Sequence, residues 1–227
     1  MKKNKTLHSQ ENIFRELYKK HKGTPMAVSS ESLNHKQMRF KMICDIFKDD
    51  DNFSVHDVGM GIADLGAFIK HEFSDKKITY SGTEIIEEYV NEAQSRFPQS
   101  TFYKRDIAEQ SYDDKYDYML LSGVFHQRRD SSIKDWEAFS QLILKSAFAM
   151  CNKGIAFNFI SPFVDFYQTQ VYYCNLPKLL NFINDELSRF FVIQHNYALF
   201  EFTVYVFKEE FIKSKYTQPE FQKYFKV

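Results

Sequence analysis

Two hydrophobic rhythms alternate along this chain: apolar positions three and four apart, and short apolar runs that end at glycine or an acid. The first rhythm predicts a short amphipathic helix over Glu11 to His21, with Ile13, Phe14, Leu17 and Tyr18 on one side. Gly23, Thr24 and Pro25 break it. A second helix is expected from after Ser30 to Phe47, on the spacing of Met38, Met42, Ile43 and Ile46. The acidic run Asp49 to Asp51 reads as a loop. Beyond it, strands are predicted at Phe53 to Val58, Ile78 to Gly82, Thr101 to Lys104, Tyr116 to Ser122 and Ile155 to Ile160. Helices are predicted at Ile62 to His71, Ile85 to Arg96, Trp136 to Met150 and Leu176 to Leu187, with Asn152 to Gly154 as the stop after the third of these. Two strands, Arg189 to His195 and Phe200 to Lys208, close the pattern.

Strands alternating with helices imply an α/β fold with a doubly wound parallel sheet. The last two strands stand too close together for a parallel crossover, so as neighbours they must be antiparallel. We divide the chain into an N-terminal helical segment (1–50) packed on the core and able to cap a pocket, a main domain (51–210) and a C-terminal tail (211–227).

The 227 residues suffice for one well-buried domain. Thirty basic residues balance thirty acidic ones, so no cationic field draws in a polyanion, and nucleic acid is not the expected partner. The short basic start at Lys2, Lys3 and Lys5 is not followed by an apolar signal core, and no stretch is long enough to span a bilayer. Cys44, Cys151 and Cys174 are scattered and odd in number, which points to a reducing, cytoplasmic setting without disulfides or a zinc site. Aromatic residues make up 17%, enough to furnish both a core and an aromatic-lined pocket.

The strongest local chemistry is His56-Asp57-Val58-Gly59-Met60-Gly61-Ile62-Ala63-Asp64, which leaves a strand and opens a helix. Glycines there let a ligand approach the backbone, and the helix start offers free N–H groups. A dinucleotide fingerprint wants glycine where Asp64 stands. Asp57 would repel a pyrophosphate but attract the ammonium of a bound amino acid. Glu84 ends the second strand, where an acid can accept from both ribose hydroxyls. Asp106 follows the third strand and can accept from an exocyclic adenine amine, with Ile107 offering a backbone N–H and an apolar wall. Leu121 to His126 leaves the fourth strand. Each acid could instead cap a helix, but together they mark the end of an open α/β sheet where ligands bind.

These motifs, over roughly Gln37 to Lys208, resemble class I S-adenosylmethionine-dependent methyltransferases. The resemblance implies a seven-stranded Rossmann-like sheet with an antiparallel final hairpin, S-adenosylmethionine as cofactor, and cofactor contacts by Asp57, Gly59, Gly61, Glu84, Asp106, Ile107 and Ser122. Gln37-Met38-Arg39-Phe40 resembles a helix found upstream of the glycine motif in some small bacterial members. There the arginine would face the cofactor's methionyl carboxylate; a surface helix charge is the other reading of Arg39. The signatures of amino-methylating DNA enzymes, of cytosine and arginine methyltransferases and of a magnesium-dependent mechanism are missing from the sequence.

His126 is the candidate general base, aimed at the methyl group by the fourth strand; a structural histidine is the alternative. The aromatic stretch from Phe163 through Tyr167 to Tyr172 and Tyr173, with Tyr18 from the first helix, is the candidate lid over a small, partly polar acceptor. The expected activity is methyl transfer to an oxygen or nitrogen of a small metabolite, such as a sugar or natural product. A module that binds the cofactor without chemistry, and a protein or RNA methyltransferase, remain as alternatives.

Overall fold

A computed structural model describes residues 11, 15, 16, 18–20, 32–110 and 112–225. The first expected helix is helical wherever it is described; Ile13, Phe14, Leu17 and the break at Gly23 to Pro25 lie outside the described residues. Helix α1 (Leu33–Cys44) starts at the N-cap Ser32, whose hydroxyl accepts from the His35 N–H, and ends in a 3-10 turn, Asp45–Phe47. There follow β1 (Asn52–Val58), α2 (Asp64–Glu72), β2 (Lys77–Glu84), α3 (Glu87–Arg96), β3 (Thr101–Lys104), β4 (Tyr116–Leu121), α4 (Ile133–Met150), β5 (Cys151–Ile160), α5 (Leu176–Glu186), β6 (Phe191–Gln194), β7 (Glu201–Phe207) and α6 (Glu209–Lys215).

The seven strands form one sheet in the order β3-β2-β1-β4-β5-β7-β6. The first five are mutually parallel; β7 runs antiparallel between β5 and β6. Strand order reverses between β1 and β4, and at such a switch point the carboxyl ends of neighbouring strands diverge to leave a crevice.

Side chains alternate across the pleat and divide the core in two. In β4, Met119 and Leu121 join Trp136, Leu144 and Ile183 on the face covered by α4 and α5. Tyr118 and Leu120 face the other way, to Phe40, Ile43 and Leu65 of α1 and α2. The segment expected as a tail folds back onto the domain. Phe211 of α6 meets Tyr118 edge-on, and Phe225 is buried against Phe190. Among the described residues no helix is long and apolar enough to cross a membrane. The three cysteines are buried and free.

One expected boundary is corrected. Asn152 to Gly154 does not stop a helix; it belongs to β5, which begins as soon as α4 ends. Gly154 pairs with Phe207, and a Cβ on it would stand 2.8 Å from the Val206 carbonyl oxygen. The glycine serves close approach of two strands, a need that looks the same in sequence as a helix end. Gly154→Ala is therefore expected to destabilise the fold by about 1–3 kcal/mol. An unchanged urea midpoint would contradict this packing.

Candidate functional site

The turn after β1 is pinned to β2: the N–H groups of Gly59 and Met60 both donate to the Thr83 carbonyl, at 2.8 and 3.2 Å. Gly59 has φ +67°, a conformation that favours glycine, and a Cβ there would crowd the Val124 side chain at 3.0 Å. Asp57 is 2% exposed, and the Tyr80 hydroxyl donates to its Oδ2 at 2.7 Å. Burial pushes the Asp57 pKa up to about 7; the Tyr80 hydrogen bond opposes this, and the charges of Glu84 and Asp64 reinforce it. Asp64 itself joins three helices, pairing with Lys36 of α1 and, at 2.7 Å, with Arg96 of α3.

Glu84 is held by backbone amides. Gly61 N–H donates to Oε2 at 3.0 Å, and Ile85 N–H donates to Oε1 at 2.7 Å. Burial raises its pKa against these donors. Asp106 accepts from Ala108 N–H at 2.8 Å, and burial raises its pKa too. Arg105, which sequence reasoning passed over, lies between the Tyr103 and Tyr112 rings, 4.2 Å from each centroid. Its Nε donates to Thr83 Oγ1 at 3.0 Å, and the Thr83 hydroxyl also meets buried His56 Nε2 at 2.8 Å.

At the end of β4, Trp136 Nε1–H donates to the Phe125 carbonyl and fixes the loop that carries His126. Arg39 is not a surface charge. Its Nε donates to Glu201 Oε2 at 2.9 Å, and Nη2 donates to Oε1 of the same carboxylate. This bidentate pair joins α1 to β7 over 162 residues of sequence. Asn158 of β5 completes the group: Oδ1 accepts from Gly123 N–H at 2.8 Å, while Nδ2 lies 2.6 Å from Glu201 Oε2 and 3.1 Å from His126 Nε2. Burial lowers the His126 pKa to about 4; Glu201 opposes this and Arg39 adds to it. Burial would raise the Glu201 pKa, but the His126 ring, Arg39 and Asn158 hold it below the usual carboxylate range. Neither Glu201 nor Asn158 carries a motif that the sequence could have flagged.

Arg39, Asp57, Gly59, Gly61, Glu84, Asp106, Ile107, Ser122 and His126 all line one cavity of about 230 Å³ at the carboxyl ends of the strands. The residues expected to touch an acceptor do not line it. Tyr18 is buried behind the cavity wall, its hydroxyl 2.5 Å from Glu92 and its ring edge-on to Tyr89. Phe163 and Tyr167 are exposed. Tyr172 packs in the core against Phe159 with its hydroxyl on Glu137, and Tyr173 meets the Tyr167 ring. The reason is the path of the segment, which bridges Gln127 to Val171 and Ile160 to Tyr173. Tyr172 N–H donates to the His126 carbonyl at 2.8 Å, so the aromatic stretch buttresses the His126 loop. The cavity's aromatic wall is built instead from Phe40, Tyr89, Trp136 and Phe139. Trp136, Phe139 and Ile143 follow helical spacing on α4, a periodicity that also reads as core. Among the described residues no cluster of histidine, cysteine or acidic side chains could hold a metal ion.

No protein-family model matches the chain. A Mycobacterium tuberculosis protein named "Putative methyltransferase Rv1506c" is 28% identical over 160 residues, covering 70% of this chain and 95% of that protein. Among solved structures, magnesium protoporphyrin IX methyltransferase from Synechocystis PCC 6803 with bound S-adenosylmethionine superposes with a TM-score of 0.58 at 15% identity, over 87% of this chain and 96% of that one. The 1,6-didemethyltoxoflavin-N1-methyltransferase of Burkholderia thailandensis, with its acceptor and S-adenosylhomocysteine bound, gives 0.60 at 12% identity, over 90% and 89%.

Proposed function

We propose that this chain, a class I S-adenosylmethionine-dependent methyltransferase, transfers the cofactor's methyl group to an oxygen or nitrogen of a small-molecule acceptor such as a sugar or natural product. The observation that carries the reading is one cavity lined together by Asp57, Glu84 and Asp106 with Ile107, which come from or just after the adjacent strands β1, β2 and β3. When bound, the cofactor supplies an electrophilic methyl group on a sulfonium. Asp57 would hold its ammonium, Arg39 its carboxylate, Glu84 its ribose hydroxyls and Asp106 its adenine amine. Gly59 and Gly61 would let the chain pass close beneath it, and Ser122 would flank the methyl group.

The residues fit this group. Glu84 is already aimed by three backbone donors: Ile85 and Ile86 N–H on Oε1 and Gly61 N–H on Oε2, which leaves Oε2 a lone pair for a ribose hydroxyl. The buried Asp57 carboxyl gains most from a cation beside it. The small-molecule reading is supported by the walled cavity, by the neutral charge balance and by the acceptors named for the neighbouring structures. Glu84→Ala is expected to weaken S-adenosylhomocysteine binding by about 2–3 kcal/mol. Unchanged affinity by calorimetry would overturn the assignment. A mass-spectrometric screen of acceptors would overturn the small-molecule reading if RNA or protein were methylated faster than any metabolite.

A further inference from the structure

We propose that His126 works as a hydrogen-bond donor, presenting Nδ1–H to an oxygen of the bound ligand, and that Asn158 is the positioning residue that fixes this tautomer. The proposal rests on the cofactor reading above and deepens it.

Gly123 fixes which way the Asn158 amide faces. Its backbone N–H can only donate, so the Asn158 atom that meets it at 2.8 Å is the amide oxygen. The other end of Asn158 is therefore an NH2 group with two protons. One goes to Glu201 Oε2 at 2.6 Å, the other to His126 Nε2 at 3.1 Å. Bidentate contact with Arg39 keeps Glu201 ionised and acceptor-only. Nε2 must then be the bare nitrogen, and the neutral ring carries its proton on Nδ1. Burial supports the neutral form, with the ring's pKa near 4.

The orientation decides what a ligand meets. A Cβ on Gly123 would stand 4.0 Å from His126 Nδ1 and 3.5 Å from Arg39 Nη1. Arg39 has committed Nε and Nη2 to Glu201, so Nη1 is the nitrogen it turns toward Gly123. Two donors thus converge on one point of the cavity wall, backed by a guanidinium whose charge Glu201 already balances. A carboxylate, phenolate or carbonyl oxygen suits that point, and an ammonium does not. The neutral ring offers the cavity no lone pair, so the base role expected from sequence gives way to that of a donor. The oxygen can come from the cofactor's methionyl carboxylate or from the methyl acceptor.

Long-range proton–nitrogen correlation on unliganded, 15N-histidine-labelled protein at pH 7 reads the tautomer directly, with His126 identified by its loss in His126→Asn. The expected result is a protonated Nδ1 and a bare Nε2, moving toward Nε2–H in Asn158→Ala. Nε2–H in the wild type, or an unmoved ring in a folded Asn158→Ala, would overturn the proposal. His126→Asn places an amide donor near the position of Nδ1 and has no basic nitrogen, which makes it the second test. If the oxygen is the cofactor's, His126→Leu loses S-adenosylhomocysteine affinity by about tenfold, the worth of one hydrogen bond. His126→Asn then keeps it, and 5′-methylthioadenosine, which lacks the amino-acid end, binds both alike. If the oxygen is the acceptor's, S-adenosylhomocysteine binds both alike, and His126→Asn keeps the turnover that His126→Leu loses. An Asn variant impaired as badly as the Leu variant overturns the donor role. Failure of the wild type to bind S-adenosylhomocysteine would instead sink the cofactor reading, and the tautomer measurement stands apart from it.

Discussion

Asp57→Asn is expected to make the unliganded protein more stable at pH 8 while weakening its hold on S-adenosylhomocysteine. The Asp57 carboxyl has its pKa raised from the ordinary 3.8 to about 7, chiefly by burial. In the window between those values the folded state binds a proton that the unfolded state does not. Stability from this group is therefore full below about pH 4, falls as pH climbs toward 7, and is gone above it. With about 1.4 kcal/mol per pK unit, the ionised carboxylate costs on the order of 4 kcal/mol at pH 8. Asparagine avoids that cost and can still accept from the Tyr80 hydroxyl. The same substitution removes the anion that would face the ligand's ammonium, a loss of about 2–3 kcal/mol in affinity. In the wild type, affinity should rise with pH up to about 7, because binding expels the Asp57 proton, and it should rise less in the variant. Urea unfolding and calorimetry from pH 5 to 8 test both halves. A variant less stable at pH 8, or one that binds undiminished, would refute the account.

Glu201→Ala is expected to be among the most destabilising single changes, by about 3–5 kcal/mol, because it strands the Arg39 charge in a largely buried setting. It also deprives Asn158 of an acceptor. Arg39→Met should do comparable harm by leaving a buried carboxylate unpaired. The double variant Arg39→Met with Glu201→Met should recover much of the loss, since the two effects share one interaction. Additive losses in a double-mutant cycle would show that the pair does not act as a unit. Recovered stability should not restore ligand binding, because Arg39 Nη1 would still be missing from the cavity.

What could be read from the sequence was local. Asp57, Glu84 and Asp106 each sit at the end of a strand within their own short segment, and the sheet's parallel core then brings them to one cavity. The antiparallel ending was legible from the short link between the last two strands, although β6 is only four residues long. What could not be read depends on distant partners. Arg39 and Glu201 lie 162 residues apart, and no spacing rule links them. Asn158 is one polar residue in the apolar run Ile155 to Ile160 of β5, where its amide could have served any neighbour. The aromatic segment misled because composition announces rings but not the path that carries them. Adjacent Tyr172 and Tyr173 end in different surroundings, one in the core and one against an exposed loop ring.

The placement of β7 also sets an order of assembly. Strand β6 pairs only with β7, and β5 keeps an open edge until β7 arrives. During synthesis the chain therefore carries an unpaired apolar edge until β7 emerges, a hazard for aggregation. The first residue of that late strand is Glu201, the carboxylate that neutralises Arg39 and orients Asn158. The polar end of the cavity is therefore completed last, and a nascent chain ending before residue 201 cannot form it. Stalled chains that end at successive positions and carry a C-terminal linker long enough to fill the exit tunnel should become resistant to protease and able to retain S-adenosylhomocysteine at the same step, when β7 is included.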